Sequence, residues 1–286
     1  MNAEPFGTWE GAVSWLLAQP EQQELCRACY YDRPALAAAR RFAASDEWQA
    51  LQAFMPARRG AALDVGAGMG VAAYALARDG WSTVALEPDA SELVGAGAIR
   101  RLAAEGGVQI EVVQEWGERL PFAEGQFQLV HARQVLHHAR DLGRFCQELA
   151  RVLAPGGRLL ATREHVISSA AQLPAFLDNH PLHGQYGGEN AFTLDAYLDA
   201  LRGAGLQVSR TLGPLASVIN YAPFTEASLC HAIAQRAARL PCGPALVRAA
   251  LARPWRAAAL AGLSRFDRRP GRLYSFVATK PGGAGA

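Results

Sequence analysis

The stretch Leu63-Asp64-Val65-Gly66-Ala67-Gly68-Met69-Gly70 sets three glycines at alternate positions behind a short apolar run. Glycine permits positive φ and lets a backbone approach a ligand closely. An apolar strand running into such a turn, with a helix behind it, is therefore a candidate ligand-holding loop. The spacing is D-x-G-x-G-x-G, whereas the dinucleotide fingerprint is G-x-G-x-x-G, and position 71 is Val. No G-K-[ST] follows, so a phosphate-cradling P-loop is excluded. Glu87 stands 17 residues after Gly70, in Ala85-Leu86-Glu87-Pro88-Asp89 at the end of a second apolar run. A carboxylate at that strand tip can accept hydrogen bonds from both hydroxyls of a ribose. Alone it would pass for a helix cap or a solvated acid; its separation from the glycine loop favours the ribose.

A second group could carry proton chemistry or hold an acceptor. His131, Ala132, Arg133, Gln134, His137 and His138 follow a fourth apolar run, and Arg163, Glu164 and His165 follow a fifth. Asp178, Asn179, His180, His183, Tyr186, Glu189 and Asn190 come next, a dense polar set for so apolar a chain. In open parallel sheets the ligand site lies at the carboxyl ends of the strands, where these residues fall. Histidine titrates near neutrality and suits acid–base work. His138, Glu164, His165, Tyr186 and Asn190 are the nominated catalytic residues. His, Asp and Glu also suit zinc or iron, and surface loops are ordinarily polar. The reading preferred is a lid that supplies substrate-binding groups, with no metal assigned.

The elements that must position these residues show in the texture of the chain. Residues 1–57 read as helices, with Trp9, Val13, Leu16 and Leu17 on one face. From 61 onward, short apolar runs alternate with helical stretches at 70–79, 89–104 and 141–153, which predicts a parallel sheet covered on both faces. His137 and His138 are expected to begin a helix. Residues 166–192 show no period and read as a long loop, a length at which loops are often functional lids. A helix at 193–204, a strand at 206–212, an Ala-rich helical piece over 225–262 and a last strand at 272–280 complete the pattern.

The chain has 286 residues, half of them hydrophobic and 19% charged. That composition excludes a disordered chain, and a net charge of +2 offers no electrostatic footprint for nucleic acid. No apolar stretch approaches the roughly 20 residues of a membrane span. The first residues lack the basic and apolar regions of a secretory leader. Cys26, Cys29, Cys146, Cys230 and Cys242 are odd in number and scattered, which argues against a disulfide framework. Cys26 and Cys29 form a lone C-x-x-C with no second pair for zinc, and read as packed or pocket-lining thiols on one helix face. A reducing cytoplasm is the expected home.

LDVGAGMG, VALEPD, ERLPFAEGQFQLV, VLHH and LARVLAPGGRLL together resemble the class I S-adenosylmethionine (SAM)-dependent methyltransferases. The resemblance covers residues 60–165 well and 190–212 and 272–280 loosely. It implies a Rossmann-like α/β fold with a seven-stranded, mostly parallel sheet and helices on both faces. A helical cap over 1–57, a SAM-binding domain over 58–286, a lid at 166–192 and a helical insertion at 213–270 complete the expected organisation. It also implies that Asp64, Gly66, Ala67, Gly68 and Gly70 line the methionine part of SAM, that Glu87 and Pro88 meet the ribose, and that Ala132, Arg133 and Gln134 touch the methionine end. Trp116 and Gly117 lie where relatives bracket the adenine. The family commonly has Asp-Ala-Glu there, but this chain reads Trp116-Gly117-Glu118, so the Trp ring either stacks on the base or packs in the core. Among Tyr30, Tyr31, Arg40 and Arg41, Tyr31 is the cofactor contact nominated from the cap.

The expected activity is methylation of a small molecule at O, N or C, with S-adenosylhomocysteine as product. One rival keeps SAM but cyclises its aminobutyrate arm and releases methylthioadenosine. An NAD-dependent oxidoreductase is disfavoured by Val71, and a non-catalytic SAM-fold module by the intact glycines and Glu87. The acceptor and the oligomeric state are not legible.

Overall fold

The computed structural model describes residues 7–237, 247, 249–252 and 254–282. Cys242, part of the helical piece expected over 225–262, and the ends of the chain lie outside the described residues. Four cap helices come first: α1 (Trp9–Ala18), α2 (Gln23–Ala28), α3 (Ala35–Ala43) and α4 (Asp46–Gln52). Thr8 caps α1 and Ser45 caps α4, each accepting a backbone N–H with its side chain. Cys26 lies in α2, but Cys29 stands just past its end.

Strands β1 (Ala61–Val65), β2 (Ser82–Leu86), β3 (Ile110–Val113), β4 (Phe127–Arg133) and β5 (Leu153–Ile167) alternate with α5 (Val71–Arg78), α6 (Ala96–Gly106) and α7 (Leu142–Val152). After β5 come α8 (Leu173–Asn179), α9 (His183–Tyr186), the two-residue β6 (Phe192–Thr193), α10 (Leu194–Gly203) and β7 (Gln207–Leu212). The insertion carries α11 (Val218–Tyr221), α12 (Glu226–Ala237) and α13 (Arg256–Phe266), and β8 (Arg272–Thr279) closes the sheet. The main path runs β3-β2-β1-β4-β5-β8-β7, with β6 beside the end of β5. Pairings among the first five strands are parallel, and β8 lies antiparallel between β5 and β7. The seven expected strands are the seven of this path, and β6 adds an eighth.

Both faces of the sheet are covered, so its strands bury side chains in both directions. On one face α7 lays Leu142, Phe145, Cys146 and Leu149, at helical spacing, against Phe127, Tyr197 and Phe276. On the other, Phe42, Trp48 and Leu51 of the cap pack with Leu76 and Leu102. A buried ion pair ties cap to sheet: Arg133 Nε at the end of β4 donates to Glu47 Oε1 of α4 at 2.8 Å. Among the described residues no helix is long and apolar enough to cross a membrane.

Three expectations are corrected. The helix after β2 begins at Ala96, not at 89, because Asp89 and Ser91 side chains accept backbone N–H groups of residues 91, 93 and 94 and hold a turn there. His137 and His138 sit in a 3-10 turn (Leu136–His138), and α7 starts only after the capping Asp141. The segment 166–192 is not an unstructured loop. It holds α8 and α9, and Leu173, Phe176 and Leu177 pack with Ile167 and Ala191.

Candidate active site

The glycine loop turns where β1 leaves the sheet. Gly66, Gly68 and Gly70 all have positive φ, at 61°, 55° and 86°. At Gly66 a Cβ would stand 2.6 Å from Val135 Cγ2, so strand-four packing also requires glycine there. At Gly68 a Cβ would meet nothing within 4 Å, so that side of the loop is open. Glu87 is linked directly to this loop. Gly68 N–H donates to Glu87 Oε2 at 2.8 Å, and Asp89 N–H donates to Oε1 at 3.0 Å. Each carboxylate oxygen keeps a lone pair for a further donor, which fits a vicinal diol. Glu87 is only 7% exposed, and burial pushes its pKa up to about 7 against the pull of those two bonds. Pro88 follows it, partly exposed.

The other nominated cofactor residues are placed as follows. Asp64 is buried inside β1, with Oδ1 2.8 Å from His131 Nδ1. Its carboxylate is turned into the sheet beneath the loop, so it supports the loop and is not one of its lining groups. Ala67 packs on the cluster of Ala73, Ala85 and Ile99. Ala132 is fully buried in β4. The Arg133 guanidinium is engaged by Glu47 and donates to Gln134 Oε1 at 3.1 Å. Gln134 follows β4 with φ 58°, its N–H donating to Thr162 O. Tyr31 lies between Met69 of the glycine loop and Trp9 and Tyr186. Trp116 is 65% exposed, which excludes the core alternative. Gly117 is required, because a Cβ would stand 2.3 Å from the Phe145 ring.

The polar cluster converges where β4 and β5 end. Glu164 Oε1 accepts N–H groups of Val135 and Leu136, and Oε2 accepts both the N–H and the Nδ1–H of His137, at 2.8–3.1 Å. Four donors occupy this carboxylate, so Glu164 positions the turn and is not the acid or base expected of it. Burial opposes the charge on His137, but the hydrogen bond to Glu164 and the nearby Glu189 carboxylate override it and raise its pKa to about 9. His165 Nδ1–H donates to Gly271 O at 3.0 Å. Burial and the neighbouring His137 push His165 down to about 3. Glu189, brought in by the segment after α9, accepts from Tyr186 Oη at 2.8 Å and lies 3.5 Å from His137 Nε2 and 3.7 Å from His180 Nε2. Burial works against its ionisation, and His137 with the other surrounding histidines holds it well below the usual carboxylate range. His138 Nδ1–H donates to Gly188 O at 2.9 Å from an exposed position. Asn190 follows Glu189, half-buried. The structure thus brings His165, Tyr186, Glu189 and His137 together. His137 and Glu189 were missing from the nominated catalytic set, because adjacency in VLHH does not reveal which imidazole points inward.

An open, doubly wound sheet with its glycine turn fastened to the acid at the tip of β2 is a nucleoside-binding architecture of the Rossmann-like kind. Residues 63–161 match the family model Methyltransf_11, described as a methyltransferase domain. Over those residues the chain is similar to a methyltransferase domain, a kind of domain whose cofactor is SAM. Over 113 residues, 40% of the chain, it is 38% identical to an uncharacterized methyltransferase of Mycobacterium sp. (strain JLS), covering 42% of that protein. It is 35% identical over 107 residues to the 27-O-demethylrifamycin SV methyltransferase of Amycolatopsis mediterranei (strain S699), covering 37% of the chain and 39% of that relative. The matches thus span about two fifths of these curated relatives. Among solved structures, the [4+2]-cyclase SpnF shares the fold with a TM-score of 0.55 and 24% identity, over 83% of this chain and 81% of that one.

Proposed function

We propose that this chain is a cytoplasmic SAM-dependent methyltransferase acting in small-molecule biosynthesis. The observation that carries the reading is the Glu87 carboxylate, nearly buried, joined to the glycine loop through Gly68 N–H and keeping acceptor capacity toward the open side of that loop. Gly66, Gly68, Gly70, Glu87 and the exposed Trp116 would hold the cofactor, with Tyr31 closing on it from the cap. SAM supplies a methyl activated on a sulfonium, taken by in-line displacement onto an O, N or C nucleophile. The chain's own contribution is alignment of the acceptor, a source of several kcal/mol in barrier lowering, and exclusion of water. The lid at 166–192 does both in this reading, with Tyr186 and Asn190 facing the acceptor. The helical cap over 1–57 and the insertion over 213–270 complete the cover of a small-molecule site.

Other SAM chemistry on the same fold is the alternative, and a neighbour described as a [4+2]-cyclase makes the distinction worth testing. Incubation with SAM, with and without a metabolite extract, followed by mass spectrometry, separates the two. S-adenosylhomocysteine and a product heavier by one methylene are expected. Methylthioadenosine formed from SAM alone would replace methyl transfer by cyclisation of the aminobutyrate arm.

A further inference from the structure

His137, His165 and Glu189 each offer a ligand atom, and these atoms lie within 4.8 Å of one another. Among the described residues this is the one such group of three. The way each side chain is held decides what it can do. His137 Nδ1–H is committed to Glu164 Oε2 at 2.8 Å, and His165 Nδ1–H to the carbonyl of Gly271 at 3.0 Å. A carboxylate or carbonyl oxygen can only accept, so both Nδ1 atoms carry a proton and Nε2 is the nitrogen left to ligate in each ring; His137, protonated in the metal-free protein, gives up its Nε2 proton when a metal binds. Fixing the distal ring nitrogen on a carboxylate or a backbone carbonyl is what supports a ligating histidine in metal sites. Glu189 Oε1 is held by Tyr186 Oη, while Oε2 is buried and has no hydrogen-bond donor. The charge balance points the same way. Glu164 and Glu189 are both buried, and among the described residues their ion-pair partners are all histidines, never Lys or Arg. Two buried carboxylates need compensating positive charge.

We propose that His137 Nε2, His165 Nε2 and Glu189 Oε2 bind a zinc ion, with His180 Nε2 as the fourth ligand. Zinc bonds of about 2.0–2.2 Å in a tetrahedron place neighbouring donors roughly 3.3 Å apart. The His137–Glu189 and His180–Glu189 separations, 3.5 and 3.7 Å, are near that edge, and a ligand atom of His165 lies within 4.8 Å of those of His137 and Glu189. The donor set of imidazoles and one carboxylate suits zinc rather than magnesium or calcium. A surface cavity of about 330 Å³ is lined by Phe176, Asn179, Gly271 and the proposed ligand His180. The ligands come from the turn after β4, from β5 and from the lid, so the ion would clamp the lid onto the carboxyl edge of the sheet. The site does not depend on the proposed methyl transfer.

The full chain, stripped with a chelator, is titrated with Zn²⁺ against a chromophoric competitor, and the desalted protein is analysed for metal. One zinc per chain is expected, with hydrogen exchange slowed over 173–190 in the zinc form. Glu189→Gln and His165→Ala should each abolish stoichiometric retention, and Glu164→Gln should weaken binding about 10–100-fold as a supporting partner does. His231→Ala, on α12, should bind as wild type. Unchanged S-adenosylhomocysteine affinity in the ligand variants establishes that they fold, and its absence in wild type would count against the proposed function while leaving the zinc result to stand. No zinc retained by wild type, or equal retention in Glu189→Gln, overturns the site and leaves His137 as a protonated bridge between two carboxylates.

Discussion

Glu87 sits in an environment that disfavours its own charge, yet a ribose needs that charge as acceptor. With the pKa raised to about 7 by burial, a substantial fraction is protonated near neutrality. Sugar hydroxyls donate to the ionised form, so S-adenosylhomocysteine affinity should fall as pH drops through about 7, approaching tenfold per unit below it. Calorimetry across pH checks this, and Glu87→Gln should flatten the profile. The same displacement makes ionisation of Glu87 costly to the ligand-free fold, because its folded value lies above its unfolded one; that contribution to stability is fully present at low pH and lost as pH rises through about 7. Glu87→Ala should weaken binding by about 1.5–3 kcal/mol, roughly ten- to hundredfold. Trp116, exposed and one residue before a glycine that cannot carry a Cβ, should change its fluorescence when S-adenosylhomocysteine binds. Trp116→Phe should lose most of that response; an equal response in both proteins would remove Trp116 from the site.

At the scale of elements, the glycine loop and the lid make different demands. Gly66→Ala forces a Cβ into Val135 at a positive φ. Left-handed backbone alone costs about 1–2 kcal/mol, so loss of stability and of cofactor binding are expected together, read by urea unfolding and calorimetry. Tyr186→Phe removes the donor to Glu189 Oε1 and should lower turnover while leaving S-adenosylhomocysteine affinity within a few fold. Equal losses in both would make Tyr186 part of the cofactor pocket. The strands and the β2 acid were legible because an apolar run ending in glycine or Glu-Pro-Asp has few other readings. The lid's α8 was not. Its apolar positions, Leu173, Phe176 and Leu177, are only three, and Pro174 and Pro181 obscure their helical spacing. Likewise Glu164 and Arg133 carry the right chemistry for a site, and only the fold shows that backbone N–H groups and Glu47 already occupy them.

For the whole molecule, a buried ion pair adds to the apolar packing that joins the cap to the sheet. Burial opposes the charge of Glu47, and Arg133 outweighs it and keeps the carboxyl ionised. Glu47→Ala would leave the Arg133 guanidinium uncompensated and should cost about 3–5 kcal/mol, measured as a shift of the urea midpoint. The sequence shows helices in the cap but not this partner, because 86 residues separate Glu47 from Arg133.

Calorimetric titration of the full chain with S-adenosylhomocysteine and, separately, with NAD, in wild type and Glu87→Ala, tests the central claim most directly. Saturable 1:1 binding of S-adenosylhomocysteine, weakened ten- to hundredfold by the substitution, with no heat from NAD, is the expected result. Binding of NAD without S-adenosylhomocysteine, or an affinity indifferent to Glu87, would contradict it.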